Sequence, residues 1–360
     1  MNKEATRLIV QPDEGVTPLI QAIDGASESI DILIFRFDRR DVEAAIVRAV
    51  ERGVRVRALI AHTSKGGEKS LRALEMRLLQ AGVTVCRTAG DLIRYHGKMM
   101  IVDRKELHVL GFNFTYLDIE RSRSFGIVTH DRKLIEEAGK LFDADCARQE
   151  YAPGHQGLLI SPLNARSLLA EFINSATSEL LMYDPNISDK AILRILEGRA
   201  KAGVTIRAIG YSTRLAARKL IDSRLHVRAI VRDESSFFLG SQSLRATELD
   251  RRREVGVILN DANLARSIKE VFEKDWKASE PLPGFADAAV SAKVIAKRLA
   301  KAVVKEIPPL EPVFDAVIKD AGGGASLQQD WAGLQETVED AVKHAIKEAV
   351  RDAVEGGGAA

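Results

Sequence analysis

His96-Gly97-Lys98-Met99-Met100-Ile101-Val102-Asp103 returns further along the chain, in weaker form, as His226-Val227-Arg228-Ala229-Ile230-Val231-Arg232-Asp233. Both stretches run histidine, any residue, a cation, four mostly apolar residues, aspartate. On a strand, alternate side chains share a face, so His96 and Lys98 point one way, as do His226 and Arg228. An imidazole beside a fixed cation suits chemistry on a phosphate. Two such pairs suggest a nucleophile on one side of phosphorus and a proton donor on the other.

Three fixed residues are a weak signal in 360, and the frame around them is stronger. Pro12 and Pro162, Ala26 and Ala176, Gly53 and Gly203, and Arg57 and Arg207 stand at one offset (162 − 12 = 150). After a shorter middle segment in the second copy the offset becomes 130 (226 − 96). It then holds for Asp103 and Asp233, Gly126 and Gly256, and Phe142 and Phe272. Two diverged copies of one unit account for both offsets.

Gly111-Phe112-Asn113 follows the first motif and Gly240-Ser241-Gln242-Ser243 the second. With these, and with the Ala-Val-Glu-Arg-Gly-Val-Arg-Val-Arg run at 49–57, the chain resembles the phospholipase D superfamily from about Leu8 to about Ser279. The resemblance implies an α/β fold of two phospholipase D-like lobes. Each would be a mixed, mostly parallel sheet flanked by helices, and the two would be related by a pseudo-two-fold axis with both motifs at their junction. It also implies that one histidine attacks phosphorus to give a phosphohistidine while the other protonates the departing alcohol and then activates water or an acceptor alcohol. Lys98 and Arg228 would hold the non-bridging oxygens, and Asn113 would donate a further hydrogen bond, with Ser243 at the matching place. No cofactor or metal enters this scheme.

Members of the superfamily carry a Glu or Gln some way after each motif that orients the opposite histidine. Glu254 lies 28 residues after His226 (254 − 226), whereas the matching place after His96 holds Ser124. If Glu254 reaches His96, then His96 is the nucleophile, and His226 is the acid and base, oriented more weakly by Ser124 or an aspartate. Arg228 for Lys and Ser243 for Asn depart from the family pattern. They leave open a catalytic second half-site or one reduced to a binding surface. Asp103 and Asp233 either brace the motif hairpins or touch substrate.

Strands are expected at Leu8–Val10, Ile30–Phe37, Val54–Ile60, Val83–Arg87, 95–103, 106–112 and Ser124–Thr129. Helices are expected at Pro18–Ala26, from an Asp41 cap to Arg52, at 68–81 and at 131–148. This divides the chain into a first repeat at 1–150, a second at 151–280 and an Ala-, Lys- and Glu-rich helical tail at 281–360. Lys293, Lys297, Lys301 and Lys305 make a basic stripe on that tail, read as a solvated face or as a contact for anionic lipid.

A net charge of +2 and 5% aromatics give little pull on nucleic acid and few stacking platforms for single strands. Cys86 and Cys146 make no metal spacing and are expected to pack in a reducing compartment, and no apolar run reaches membrane-spanning length, so a cytoplasmic protein is expected. His62, His108, His130, His155 and His344 have no repeat partner. Arg121, Arg123, Arg251, Arg252 and Arg253 stand either at the cleft rim or in structural ion pairs. The expected function is hydrolysis or transphosphatidylation of a phospholipid phosphodiester. A nuclease of the same fold and a non-catalytic phosphate- or lipid-binding protein are the alternatives.

Overall fold

Ser29–Ile34 is buried at every position and forms the centre of the first lobe. The computed structural model of the chain describes residues 6–61, 68–212 and 214–282. Arg55–Ile60 pairs in parallel with Ser29–Ile34, and Thr84–Arg87 in parallel with Arg55–Ile60. The helices Arg40–Glu51 and Glu68–Gln80 provide the crossovers such pairing needs. On the other side of Ser29–Ile34 come Met99–Val102, Glu106–Leu110, Ser122–Thr129 and Arg7–Gln11, each antiparallel to its predecessor. The second lobe repeats the order and the senses with Thr205–Ser212, Glu179–Ile187, Ala229–Arg232, Ser236–Gly240, Arg252–Leu259 and Leu158–Ser161.

The sheets are mixed, as expected, but antiparallel pairs outnumber parallel ones, which corrects the expectation of mostly parallel sheets. The cause is the tight hairpin after each motif. Asp103 and Arg104 (φ 51° and 53°), and Asp233 and Glu234 (both 51°), take left-handed conformations that reverse the chain at once. A second correction concerns Asp41. It lies inside the helix Arg40–Glu51 rather than capping it, because its carboxylate is held by the Arg39 guanidinium. The helices Arg132–Ala147 and Ala262–Lys277 are capped at matching places by the side chains of Asp131 and Asp261.

The two repeats form one compact unit, Met1–Leu282. A central core draws on both, with Phe125 and Phe142 from the first and Tyr183 and Phe272 from the second, and Cys86 and Cys146 pack against it. No helix among the described residues is long and apolar enough to cross a membrane. The expected basic tail and its lipid contact lie outside the described residues, as do His62 and His344.

Asp103 and Asp233 brace their hairpins. Asp103 accepts from the backbone N–H groups of Ser27, Glu28 and Ser29 at 2.7–3.2 Å, and Asp233 from those of Thr177, Ser178 and Glu179 at 2.8–2.9 Å. Burial opposes their ionisation, yet these donors hold both carboxyls at about 2. A depressed folded pKa adds stability above the unfolded value, which is lost as pH falls toward 2. Asp103→Ala should therefore lower the unfolding free energy by about 2–4 kcal/mol in urea at pH 7, a deficit that narrows below pH 4.

Candidate active site

The expected unbroken motif strand at 95–103 is two short strands, Arg94–Tyr95 and Met99–Val102, because the chain changes sheets between them. Arg94 and Tyr95 pair in parallel with Arg252 and Arg253 of the second lobe, and the N–H groups of His96 and Gly97 both donate to the Arg253 carbonyl, at 2.7 and 2.9 Å. The approach at Gly97 is close enough that a Cβ would lie 2.7 Å from Val255 Cγ2. The second motif crosses the other way. Arg224 and Leu225 pair with Ser122 and Arg123, and His226 N–H donates to the Arg123 carbonyl at 3.0 Å. This reciprocal crossing delivers both histidines to the junction of the lobes, where His96, Lys98, His226, Arg228 and Glu254 are all buried.

His96 Nδ1 donates to Glu254 Oε2 at 2.9 Å and lies 3.1 Å from Oε1. His226 is held differently: its Nδ1 is 3.4 Å from Ser124 Oγ, and its Nε2 is 3.7 Å from Asp118 Oδ2. Lys98 Nζ donates to the His96 carbonyl, and Arg228 Nη1 donates to the His226 carbonyl at 2.8 Å, so the two cations occupy matching places. Burial, then Lys98 and Arg228, push the His96 pKa well down. Burial and Arg228 do the same to His226, with Asp118 opposing them. Lys98 is lowered to about 7 by burial and Arg228, against the pull of Glu254, whose own pKa burial raises.

Asn113 gives one amide hydrogen to Asp118 Oδ2 (2.7 Å), and its Oδ1 accepts from Arg36 N–H (3.1 Å). In the second lobe lysine becomes arginine and asparagine becomes serine together, as an exchange of volume. Arg228 Nε donates to Ser243 Oγ at 3.0 Å. The acceptor that Ser243 lacks is replaced by Asp184, which takes the N–H groups of Asn186 and Leu244, each at 2.7 Å. Burial raises Asp184 to about 6.

Asp118, Glu248, Arg224 and Asp184 were not anticipated. Asp118 and Glu248 stand at the offset of 130 and receive the backbone N–H of Asn113 and Ser243 in turn, so the repeat frame carried their signal. Of the arginines considered for the rim, Arg123 and Arg253 are structural, binding Asp275 (2.9 Å) and Asp145 (3.1 Å). Arg252 reaches the site through Glu248 at 3.2 Å and Glu254 at 3.8 Å, while Arg121 and Arg251 are exposed. His108, His130 and His155 lie elsewhere, with His108 on Glu106, His130 on the Lys105 carbonyl and His155 on Gly157 N–H. Among the described residues, no group of three His, Cys, Asp or Glu side chains is placed to hold a metal ion.

A family model described as cardiolipin synthase, PLD-like domain, matches residues 19–146 and 169–276, one range in each repeat. Polyphosphate kinase 1 of Chlorobaculum tepidum is 24% identical over 314 residues, 75% of this chain and 45% of the relative. Phospholipase D of Rickettsia felis is 31% identical over 126 residues, 35% of this chain and 61% of the relative. This chain thus spans less than two thirds of either relative. The crystal structure of phosphatidylserine synthase from Haemophilus influenzae superposes with a TM-score of 0.61 at 11% identity, covering 78% of this chain and 88% of that one, which shows a shared fold.

Proposed function

Because the chain belongs to the phospholipase D superfamily, we propose that it is a two-histidine phosphoryl-transfer enzyme that cleaves, or exchanges the alcohol of, a phospholipid phosphodiester. The observation that carries this reading is the bond from His96 Nδ1 to Glu254 across the lobes. A carboxylate on Nδ1–H fixes the tautomer and leaves the lone pair on Nε2, as a nucleophile requires. Nε2 would form the bond to phosphorus as the bond to the departing oxygen breaks, and that oxygen would take its proton from His226. Water or an alcohol would then give a proton to His226 while attacking phosphorus, which frees His96. In the free protein both imidazoles are buried and neutral. An arriving phosphate offsets the charges of Lys98 and Arg228, so that Asp118 can hold His226 as an imidazolium.

A second reading, transfer from a phosphoanhydride, uses the same residues and is favoured by the match to polyphosphate kinase 1 over 75% of the chain. The test is incubation of the purified chain with short-chain phospholipids, with and without 1-butanol, beside arms holding polyphosphate with ADP and single-stranded DNA. Formation of a phosphatidylbutanol is the expected result. ATP formed without lipid turnover would select the second reading, and cleaved DNA alone a nuclease. Phosphate binding without turnover in any arm would leave a binding protein.

Lys98 gives this site a pH dependence. With a pKa lowered to about 7 by burial, Lys98 is charged below neutrality and loses its charge above it. Affinity for a diester monoanion such as bis(p-nitrophenyl) phosphate should fall by up to about tenfold per unit above pH 7. Lys98→Arg, whose side chain stays charged, should give a flat profile in calorimetric titrations.

A further inference from the structure

The two half-sites carry different charge. Arg94 and Arg224 stand at the offset of 130, each two residues before its motif histidine. Arg224 is neutralised, donating to Asp118 Oδ1 at 2.7 Å and Ser122 Oγ at 2.9 Å. The carboxylate that would serve Arg94 in the same way is Glu248, and it is already occupied. Arg252, standing where the first lobe has Ser122, binds Glu248 Oε1 at 3.2 Å. Arg245, where the first lobe has Thr115, binds the same oxygen at 3.5 Å, and Ser243 N–H takes Oε2. Among the described residues Arg94 therefore has no carboxylate partner. Its guanidinium lies instead over the Phe35 ring, 4.9 Å from the centroid, and Arg36 lies over the same ring at 5.6 Å. Phe35 in turn packs edge-on against His96, with centroids 5.1 Å apart. At the matching places the second lobe has Pro185 and Asn186.

A half-buried guanidinium crowded by other cations is costly unless an anion joins it. Burial, then Arg252 and Arg36, lower the Arg94 pKa, with Glu254 and Glu248 opposing them from a distance. We propose that Arg94, supported by Arg36 and Phe35, forms a subsite beside His96 for a second phosphate group of the substrate. This rests on the phosphoryl-transfer reading above and narrows it. The substrate carries a further phosphate one linkage from the reacting one, either along an anhydride chain or across a lipid head group.

Calorimetric titration of the full chain with orthophosphate, tripolyphosphate and glycerol 1,3-bisphosphate tests the subsite without relying on turnover. At least one of the probes with more than one phosphate should bind about tenfold or more tightly than orthophosphate, a typical gain for an added charge-assisted contact to arginine. Arg94→Gln should erase that advantage while changing orthophosphate affinity less than about twofold, and Arg94→Lys should restore most of it. Preference for tripolyphosphate would support the subsite with an anhydride chain as its source, and preference for the bisphosphate would support it with a lipid head group. The proposal is overturned if orthophosphate binds and neither probe gains, or if the gain survives in Arg94→Gln. If orthophosphate does not bind the parent, or binds Lys98→Ala as tightly as the parent, the phosphoryl-transfer reading falls and takes the subsite with it.

Discussion

Replacing His96 with alanine should eliminate the covalent phosphoenzyme and lower kcat by at least about 10⁴-fold, because no other side chain can take over attack on phosphorus. His96 is the only histidine of the pair whose Nδ1 donates to a carboxylate, Glu254 at 2.9 Å, and that bond aims Nε2 into the junction. His226→Ala should behave differently. It removes the proton donor, so substrates whose leaving groups need little protonation, such as p-nitrophenyl esters, should recover a large part of the lost rate of phosphoenzyme formation. Stopped-flow release of p-nitrophenol separates the two: a burst without turnover for His226→Ala, and neither for His96→Ala. Loss of activity in His96→Ala through unfolding is checked by an unchanged urea midpoint.

Arg228→Ala should lower kcat/KM by about 10²–10³-fold, the range seen when one preorganised donor to a developing oxyanion is lost. Charge that grows on the phosphoryl oxygens in a buried cleft would keep only one of its two motif cations, Lys98. The packing also predicts how the family residue would behave at this place. Arg228→Lys keeps a cation but loses the bond to Ser243 and leaves a void, so it should retain activity within about tenfold of the parent. Ser243→Asn alone crowds the guanidinium. The double variant matches the volumes of the first lobe, so the two changes should be non-additive by about 1 kcal/mol or more in transition-state stabilisation. Additive effects would mean that the arginine and serine are independent, and that the second half-site is not a repacked version of the first.

The lobes and their shared order of elements were legible in the residues, because a repeat fixes which places correspond, and the reach of Glu254 across to His96 was what the family resemblance implied. What escaped the sequence reading depends on contacts between distant parts of the chain. Tyr95 read as the start of the motif strand, yet with Arg94 it pairs with the opposite sheet, a pairing that local periodicity cannot show. The mostly parallel expectation failed because strand-helix alternation was weighed over the hairpins that follow each motif. Asp184 stands where the first lobe has Ile34, so no repeat partner drew attention to it. It became visible only as the acceptor that replaces the side chain of Asn113. That Arg94 has no carboxylate partner among the described residues likewise follows from Arg252 occupying Glu248, a relation among three residues on separate elements.

The most direct test of the two-lobed mechanism is to locate the covalent phosphate. The chain, with His226→Asn introduced to slow breakdown, is mixed with an activated diester, quenched under alkaline conditions and digested, and the modified peptide is sequenced by mass spectrometry. Phosphate on His96, lost on Glu254→Ala as the tautomer is released, is the predicted result. A phosphorylated residue other than His96 in the parent chain, or turnover with no covalent species in either, would contradict it.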